Sequence, residues 1–502
     1  MFLTEADLLN RRLLMQGKLN AGDMVRDLLE EERVSERRQR MLEGERYYYA
    51  EHDIVGRDFR RDFVSETELD GATGEEREVI RSFRNPNRSN YRVVNAFHRV
   101  LVDQKVYYLL SREPMLRVRG SELEEERRRY ERVLSELADE RFNETVQELV
   151  INASNHGFGA IHVYYDETGR LCYDVVSATE LIPVYDTGFE RELTEVIRYY
   201  PITVVQDGVK RVRQCVEWWT KEDVTYFTEE TPGGFVLDGE KGENPAPHWW
   251  EVVLADGVEV RRVSHSWGRV PFVILRNNRR MMTDLEYVKG LIDAYDLLAS
   301  EGVNNFADLV DLYWVIAGYG GEAASAIARK LKINRAVSVS DASGRIEAKQ
   351  MELPVAGRIE FLKCLRRDIF HFGMGIDTDA DKYGSDHLGN MPSGVSLKFQ
   401  YTQLDLKAMG LSVRLKRAMK ELLWFLTADY NALNGTAYDA AWVNVSLNLN
   451  RIADDVETVQ MIRDSAGLVS RKTLLGRHPF VEDVNEELQM VLEEKKGEKQ
   501  EN

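Results

Sequence analysis

The 502-residue chain has three cysteines, Cys172, Cys215 and Cys364, and they are far apart in sequence. Scattered thiols cannot form a disulfide framework, and they lack the paired spacing of a zinc site. No apolar run reaches the roughly 20 residues that cross a bilayer, and the N-terminus carries no basic-then-apolar signal sequence. These absences favour a protein made in a reducing cytoplasm, with no membrane partner.

Catalytic motifs are also absent from the sequence. There is no GxxxxGK[ST] loop that would hold ATP phosphates, and no HExxH, paired CxxC or GxSxG. Asp377, Asp379 and Asp381 alternate like a set of carboxylate ligands, so a metal-dependent nuclease is one alternative. The remaining glycine and glutamate spacing of an EF-hand is missing, and a solvated polar loop accounts better for these residues. We expect neither an enzyme nor a bound cofactor.

Basic residues are the minority charge: 67 Lys and Arg oppose 85 Asp and Glu, which gives a net charge of −18. A protein that coats nucleic acid carries a basic footprint, so this composition argues against that class. It does not argue against a channel through which DNA passes, because such a channel must not hold phosphates tightly.

Long helical periodicity is the main positive signal. Residues 276–302 open with a polar turn, and the helix that follows has apolar residues at spacings of three and four. This seam consists of Leu285, Val288, Ile292, Tyr295 and Ala299. A second helix is predicted at 356–372. A third, at 393–433, is too long for an ordinary globular helix, and we expect a kink or break at Gly410.

The regions around these helices give shorter elements. Residues 160–263 alternate between apolar and polar and are predicted to form antiparallel strands. Helices are expected at 91–111 and 122–150, and irregular polar chain at 47–90. Residues 373–392, rich in Gly, Asp and Ser, are predicted to be a functional loop. Two long helices with a small strand-containing module between them predict an elongated projecting arm and not a catalytic pocket.

Five segments in this order also carry a resemblance to one family. They are SNYRVVNAFHRVLVDQKVYYLLSREP (89–114), NHGFGAIHVYYDETGRLCYDVVSATELIPVYD (155–186), NNRRMMTDLEYVKGLIDAYDLLASEGVNNF (277–306), FHFGMGIDTDADKYGSDHLGNMPSGVSLKFQYTQLDLKA (370–408) and SRKTLLGRHPFVEDVNEELQMVLEE (470–494). The set resembles the portal proteins of tailed bacteriophages of the SPP1 type. No single segment is as specific as a metal-ligand motif, and the ordered set makes the match.

The resemblance implies an α+β portal fold, with long stem helices, a β-rich wing, a small α/β clip and a mainly helical crown, assembled as a ring. The implied domains are an N-terminal arm (1–24), the wing (25–282), the outer stem helix (283–310), the clip (311–354), the inner stem helix (355–373), a channel loop (374–392), a long kinked helix (393–434), the crown (435–494) and a disordered tail (495–502).

The resemblance also implies where DNA and the packaging motor would bind. The DNA-facing candidates are Arg358, Lys363, Arg366 and Arg367 on the inner helix, Lys382 and His387 in the loop, and Lys398 at the start of the long helix. The clip docking candidates are Tyr313, Trp314, Arg329, Lys330, Lys332 and Arg335. The alternative for the basic residues is an ordinary solvated face. The loop is longer and more acidic than the family pattern, which leaves open which residue faces DNA.

The implied partners are other copies of the chain, as a dodecamer in the capsid, and double-stranded DNA bound without sequence specificity. Further implied partners are the large terminase, a head-completion adaptor, the major capsid protein and the scaffolding protein. The implied location is the portal vertex of the virion, after synthesis in the bacterial cytoplasm. Besides the nuclease, a non-viral structural ring protein remains an alternative.

Overall fold

The computed structural model divides the chain into two units, each assembled from segments that are distant in sequence. The first comprises Met1–Leu42, Leu101–Thr283 and Met374–Asn502, and the second comprises Glu43–Val100 and Asp284–Gly373. The structure describes residues 3–14, 21–69, 76–86, 88–119, 124–206, 208–255, 258–308, 313–317, 345–349, 355–377, 394–447, 455–476, 478, 481, 484, 487–488 and 490–491.

Helices and strands alternate in blocks along these residues, so the chain is α+β. The helices are α1 (Glu5–Leu14), α2 (Ala21–Val34), α3 (Glu36–Tyr48), α4 (Phe97–Leu110), α5 (Glu124–Leu137), α6 (Glu140–His156), α7 (Lys289–Asp308), α8 (Val355–Phe372), α9 (Gly394–Asn434), α10 (Asp455–Asp464) and α11 (Arg471–Leu475). The strands are β1 (Leu3–Thr4), β2 (Arg61–Leu69), β3 (Glu76–Arg84), β4 (Met115–Val118), β5 (Phe158–Tyr165), β6 (Leu171–Val176), β7 (Leu181–Tyr185), β8 (Leu193–Gln206), β9 (Val209–Trp219), β10 (Asp223–Thr231), β11 (Gly234–Leu237), β12 (Ala246–Pro247), β13 (Trp249–Ala255), β14 (Val258–His265), β15 (Phe272–Arg276), β16 (Tyr313–Ala317), β17 (Arg345–Lys349) and β18 (Val443–Ser446).

The first unit is organised around a seven-stranded sheet with the order β1-β7-β8-β9-β10-β11, in which β12 also pairs with β10. The pairing is antiparallel except between β1 and β7. Successive side chains of a strand point to opposite faces. On β8, Ile197 packs into a core with Val25 of α2, whereas Val196 packs into a second core with Phe272. Both faces of the sheet are therefore covered at this point of β8, and the predicted antiparallel region at 160–263 is confirmed.

The first unit also contains a smaller sheet with the order β15-β5-β6. One glycine, Gly157, permits the turn that leads into its central strand, β5. Gly157 ends α6 with φ +82°, and a Cβ added there would lie 2.0 Å from the carbonyl oxygen of Met281. An L-residue rarely adopts this φ. The backbone of Gly157 also accepts a hydrogen bond from the amide of Asn277, at 2.9 Å. Glycine at 157 therefore permits the turn from α6 into β5 directly against the 277–282 segment.

The long helix α9 is continuous over 41 residues, and the predicted break at Gly410 is absent. Leu404, Ala408, Leu411 and Leu415 are each at most 2% exposed, so a buried heptad row passes through the glycine on both sides. The packing of that row outweighs the cost of about 1 kcal/mol for glycine in a helix interior. None of the helices in the described residues combines the length and apolar character required for a membrane crossing.

Three shorter predictions are corrected by the structure. The helix expected at 122–150 is two helices, because Asp139 interrupts it and its carboxylate accepts the amide hydrogen of Phe142 at 3.0 Å, as an N-cap does. The helix expected at 91–111 begins only at Phe97. Residues 47–90 are not irregular throughout, since β2 and β3 form an antiparallel ribbon from Arg61 to Arg84.

The second unit contains α7 and α8, which pack against each other, and the ribbon β16–β17 lies between them in sequence. In the apolar seam predicted for α7, Leu285, Val288 and Ile292 are buried, whereas Tyr295 and Ala299 are half-buried. Leu285 belongs to a short 3-10 turn that ends before α7 begins at Lys289. Residues 318–344, which the resemblance assigns to the α/β clip, lie outside the described residues.

Candidate functional site: the paired helices α7 and α8

The basic residues predicted on the inner helix α8 occupy different environments. Lys363 and Arg367, one turn apart, are exposed, and Arg367 pairs with the neighbouring Asp368 at 2.9 Å. Arg366 is half-buried, with its guanidinium carbon 5.9 Å from the ring centre of Phe370. Lys363 and Arg367 are therefore the members of this set that are open to a ligand on the surface of the unit.

Arg358 lies on the face of α8 that meets α7. Its side chain is half-buried, and its Nη1 would be 3.2 Å from a Cβ built on Gly302 of α7. Gly302 thus makes room for the guanidinium, and the two helices approach closely at this point. Arg358 contributes to helix pairing within the unit.

The other site candidates are described as backbone only or lie outside the described residues. Lys382 and His387 lie outside the described residues. Lys398 lies in the first turns of α9, where the structure describes the backbone only. The clip candidates Tyr313 and Trp314 lie on β16, also described as backbone. The remaining clip candidates, Arg329, Lys330, Lys332 and Arg335, lie outside the described residues.

The start of the predicted channel loop is fixed by a glutamine of α4. The Nε2 of Gln104 donates to the carbonyl oxygen of Ile376 at 2.8 Å, and the amide of Ile376 donates to the Oε1 of Gln104 at 2.9 Å. One side chain therefore satisfies both backbone groups of Ile376, the third residue of the predicted loop.

The outer helix α7 carries a row of polar side chains that the sequence analysis missed. Asp296, Ser300, Asn304 and Asp308 follow one another at intervals of four, so they lie on one face of the helix. The first three are at most 5% exposed. We call these four residues the polar ladder.

Each member of the polar ladder accepts a hydrogen bond from the backbone of residues 89–95. The amides of Ser89, Tyr91, Val93 and Asn95 donate to Asp308, Asn304, Ser300 and Asp296, at 2.9, 2.7, 2.9 and 3.0 Å respectively. Asn304 also donates from its Nδ2 to the carbonyl oxygen of Tyr91 at 2.9 Å. The side chains of a helix here replace the second strand of a sheet.

The interval of four residues along α7 matches the interval of two residues along 89–95 for a simple geometric reason. Four residues of an α-helix rise about 6.0 Å, and two residues of extended chain span about 6.4–6.8 Å. Every second amide of the extended segment therefore meets every fourth residue of α7 with less than about 1 Å of drift per step. This pairing keeps residues 89–95 extended, which is why α4 begins later than its sequence pattern predicts.

One end of the polar ladder is joined to a buried histidine. The Nδ1 of His52 lies 2.5 Å from the Oδ2 of Asp296, and both side chains are fully buried. The other carboxylate oxygen of Asp296 accepts hydrogen bonds from the amide and the Nδ2 of Asn95. The ring of His52 stacks on Tyr47, with centroids 4.3 Å apart. Asp296 is thus bonded on both oxygens, as a buried carboxylate requires.

A second polar group at this end centres on Lys289. Its Nζ lies 2.8 Å from Asp53, 2.8 Å from Asp293 and 3.3 Å from Glu43. Burial alone would lower the pKa of Lys289, but the hydrogen bonds that its ammonium donates to Asp293 and Asp53 outweigh burial and raise the pKa. At Asp53, burial alone would raise the pKa, but the hydrogen bonds that the carboxylate accepts from Lys289 and Arg46 outweigh burial and lower the pKa to about 2. The group holds the first turn of α7 to the end of α3.

A sequence signal for the polar ladder does exist. Four short polar residues at intervals of four on one helix face are unusual, because an exposed face normally carries long charged side chains. The sequence-based prediction for this helix relied on its apolar seam and did not include the polar ladder. No three His, Cys, Asp or Glu side chains converge within the described part of the chain. Asp379 and Asp381 lie outside that part.

The chain is thus an α+β protein whose outer helix α7 is bonded through four side chains to an extended backbone segment. Residues 29–501 match the family model described as phage portal protein, SPP1 Gp6-like, and the chain belongs to this family. Proteins of this family are structural components of the bacteriophage virion that serve DNA packaging, and they are not enzymes.

Two curated relatives are similar over most of the chain. The portal protein of Bacillus phage SPP1 is 29% identical over 459 residues, which cover 90% of this chain and 83% of that protein. The portal protein of Clostridium phage phiCD119 is 28% identical over 480 residues, covering 92% of this chain and 93% of that protein. A chain in the neck of a native GTA particle computed with C12 symmetry matches with a TM-score of 0.39 and 11% identity, over 75% of this chain and 89% of that one.

Proposed function

We propose that twelve copies of this chain form a ring at the capsid vertex, and that double-stranded DNA enters and leaves the capsid through the channel of the ring. Family membership over residues 29–501 is the observation that carries this proposal. The domain division follows from it, with α7 and α8 as stem helices and β16–β17 as part of the clip between them.

The charges of α8 support a channel that DNA can slide through. Lys363 and Arg367 are exposed and one turn apart, whereas Arg358 packs against α7. In a ring, each exposed cation becomes a circle of positive charge. Sparse circles on a protein of net charge −18 attract phosphates weakly and without base readout, through counterion release. We assign the same role to Lys382, His387 and Lys398, and a smaller part of it to the half-buried Arg366.

The edges of the β16–β17 ribbon support a docking role for the clip. These two strands pair with each other from Tyr313–Lys349 to Ala317–Arg345. In the described part of the chain no third strand joins these two. A two-stranded ribbon is marginally stable by itself, so strands of adjacent copies would supply further pairing. The completed clip would dock the large terminase during packaging and a head-completion adaptor afterwards, while wing and crown would contact the major capsid and scaffolding proteins.

The ring is tested by end-on electron microscopy and mass photometry of the purified protein. We expect a symmetric particle with a central hole and the mass of about twelve copies. A strict monomer at micromolar concentration and physiological salt would overturn the proposal.

The channel and the clip need separate tests in a packaging reaction. Lys363→Glu/Arg367→Glu should assemble normally and slow or halt packaging, because an added negative circle repels phosphate at close range. Lys382→Glu should behave likewise. Deleting residues 314–352 and bridging α7 to α8 with a short turn should leave rings intact and abolish terminase docking. Packaging at the parental rate and DNA length by any of these variants would remove the role assigned to the altered part.

A further inference from the structure

The start of the predicted channel loop, 374–392, and the helix that follows the loop are both bonded to α4. At the start, Gln104 bonds the amide and the carbonyl oxygen of Ile376, at 2.9 and 2.8 Å. After the loop, the Oδ1 of Asp405 in α9 accepts a hydrogen bond from the hydroxyl of Tyr108. Gln104 and Tyr108 are one turn apart and therefore lie on one face of α4. We call these two residues the loop anchors.

The anchor at Tyr108 has a second contact with α9. Its ring stacks on the ring of Tyr401, with centroids 5.9 Å apart. Tyr401 and Asp405 are themselves one turn apart on α9. One side chain of α4 thus contacts two successive turns of the helix after the loop, through its ring and through its hydroxyl.

The helix that carries the loop anchors is held in place by buried side chains. Four apolar residues of α4 are at most 1% exposed, namely Leu101, Val102, Val106 and Leu109. A helix with such a face cannot shift without opening a close-packed core. Both anchors therefore start from a fixed part of the first unit.

The backbone just before Ile376 is strained. Met374 has φ +55°, in the left-handed region that a residue with a Cβ rarely adopts. Such a conformation persists where the surrounding contacts hold it. The two bonds between Gln104 and Ile376, two residues further along, are contacts of this kind. They fix the path of the chain as it enters the loop.

We propose that the loop anchors are positioning residues of the channel, which hold the two ends of the loop at fixed points and thereby set how far it reaches toward DNA. The inference rests on the proposed channel and assigns to it two residues that do not line it. Loss of the bonds from Gln104 would move the first held point back from Ile376, which adds up to about 3.5 Å of chain for each released residue. In a ring, the change is repeated in every copy.

The test compares Gln104→Leu with Gln147→Leu. Leucine is a good helix former like glutamine, but its side chain can neither donate nor accept a hydrogen bond. Gln147 is half-buried, as Gln104 is, and its Nε2 donates to the carbonyl oxygen of Leu110 at the end of α4, at 3.2 Å. Within the described residues it bonds neither side of the loop, so the same change there is a matched control.

Measurements on purified rings separate positioning from stability. Mass photometry should show parental assembly of both variants. Hydrogen exchange in peptides that cover residues 374–377 should be roughly tenfold faster in Gln104→Leu, because two backbone groups lose their partner. The ionic conductance of single Gln104→Leu rings held in a solid-state nanopore should shift by more than the spread among parental rings, and DNA packaging should slow. Tyr108→Phe, which keeps the ring and loses the hydroxyl, should also shift the conductance, whereas Gln147→Leu should match the parent throughout.

Each other outcome decides against the inference. Parental conductance and packaging in Gln104→Leu overturn it and leave the channel itself standing, even if exchange at 374–377 is faster, because Gln104 would then be a structural residue only. An equal shift in Gln147→Leu shows a general loosening of α4 and also overturns it. A parental protein that forms no open ring would instead refute the proposed function, and the inference with it.

Discussion

Substitution of Asn304 by leucine tests the polar ladder at its most informative position. Asn304 is 5% exposed, and it bonds both backbone groups of Tyr91, at 2.7 and 2.9 Å. Leucine has a similar size but can neither accept nor donate. The amide and carbonyl of Tyr91 would then lose their protein partners while the rest of the segment stays in place.

The expected cost follows from those two bonds. A buried polar group left unsatisfied costs about 1–3 kcal/mol. Tyr91 is an exposed residue, so water can replace part of the loss, and we expect about 2 kcal/mol in total. At 1.4 kcal/mol per factor of ten, local opening of residues 89–95 becomes about 30-fold more frequent.

Hydrogen exchange measured by mass spectrometry on peptides covering residues 88–96 reads this opening directly. Asn305→Leu places the same change one position along α7, off the polar ladder, and should alter exchange there by less than about threefold. Parental exchange in Asn304→Leu would refute the role given to the polar ladder. Equal acceleration in Asn305→Leu would show a general loosening of α7 and would refute it as well.

Three further predictions concern the first unit. Gly157→Ala should cost about 2–5 kcal/mol and lower the Tm, because it combines left-handed backbone strain with a clash against the carbonyl of Met281; calorimetry showing the parental Tm would contradict this. Asp139→Ala should speed exchange at the amide of Phe142 through loss of about 1 kcal/mol of N-cap stabilisation, whereas Asp139→Asn should not, and equal exchange in both would exclude the cap. Burial lowers the pKa of His162 to about 3, so the unfolded chain binds the extra proton. The contribution of the buried, neutral His162 to the free energy of unfolding is therefore complete above about pH 6.5. It declines by up to about 1.4 kcal/mol per pH unit as the pH falls toward 3. In denaturant titrations, the free energy of unfolding of His162→Phe should depend less steeply on pH between pH 6.5 and 5. An unchanged slope would contradict the lowered pKa of His162.

The sequence alone determined the elements whose own periodicity is strong. The seam from Leu285 to Ile292 predicted the burial of that face at the start of the outer helix, and the helical pattern at 393–433 predicted the long helix α9. The ordered segments also predicted the family. Each of these signals is local, because a helix shows its buried face within a few turns of its own residues.

Only the tertiary structure decided the elements that depend on a distant partner. Residues 91–96 have a helical pattern but remain extended, because Ser300 and Asn304 bond their amides from more than two hundred positions away. Gly410 stays helical because a packed row crosses it, whereas Asp139 divides a helical pattern because its side chain caps the next helix. A propensity of about 1 kcal/mol or less per residue gives way wherever burial or a set of hydrogen bonds contributes more.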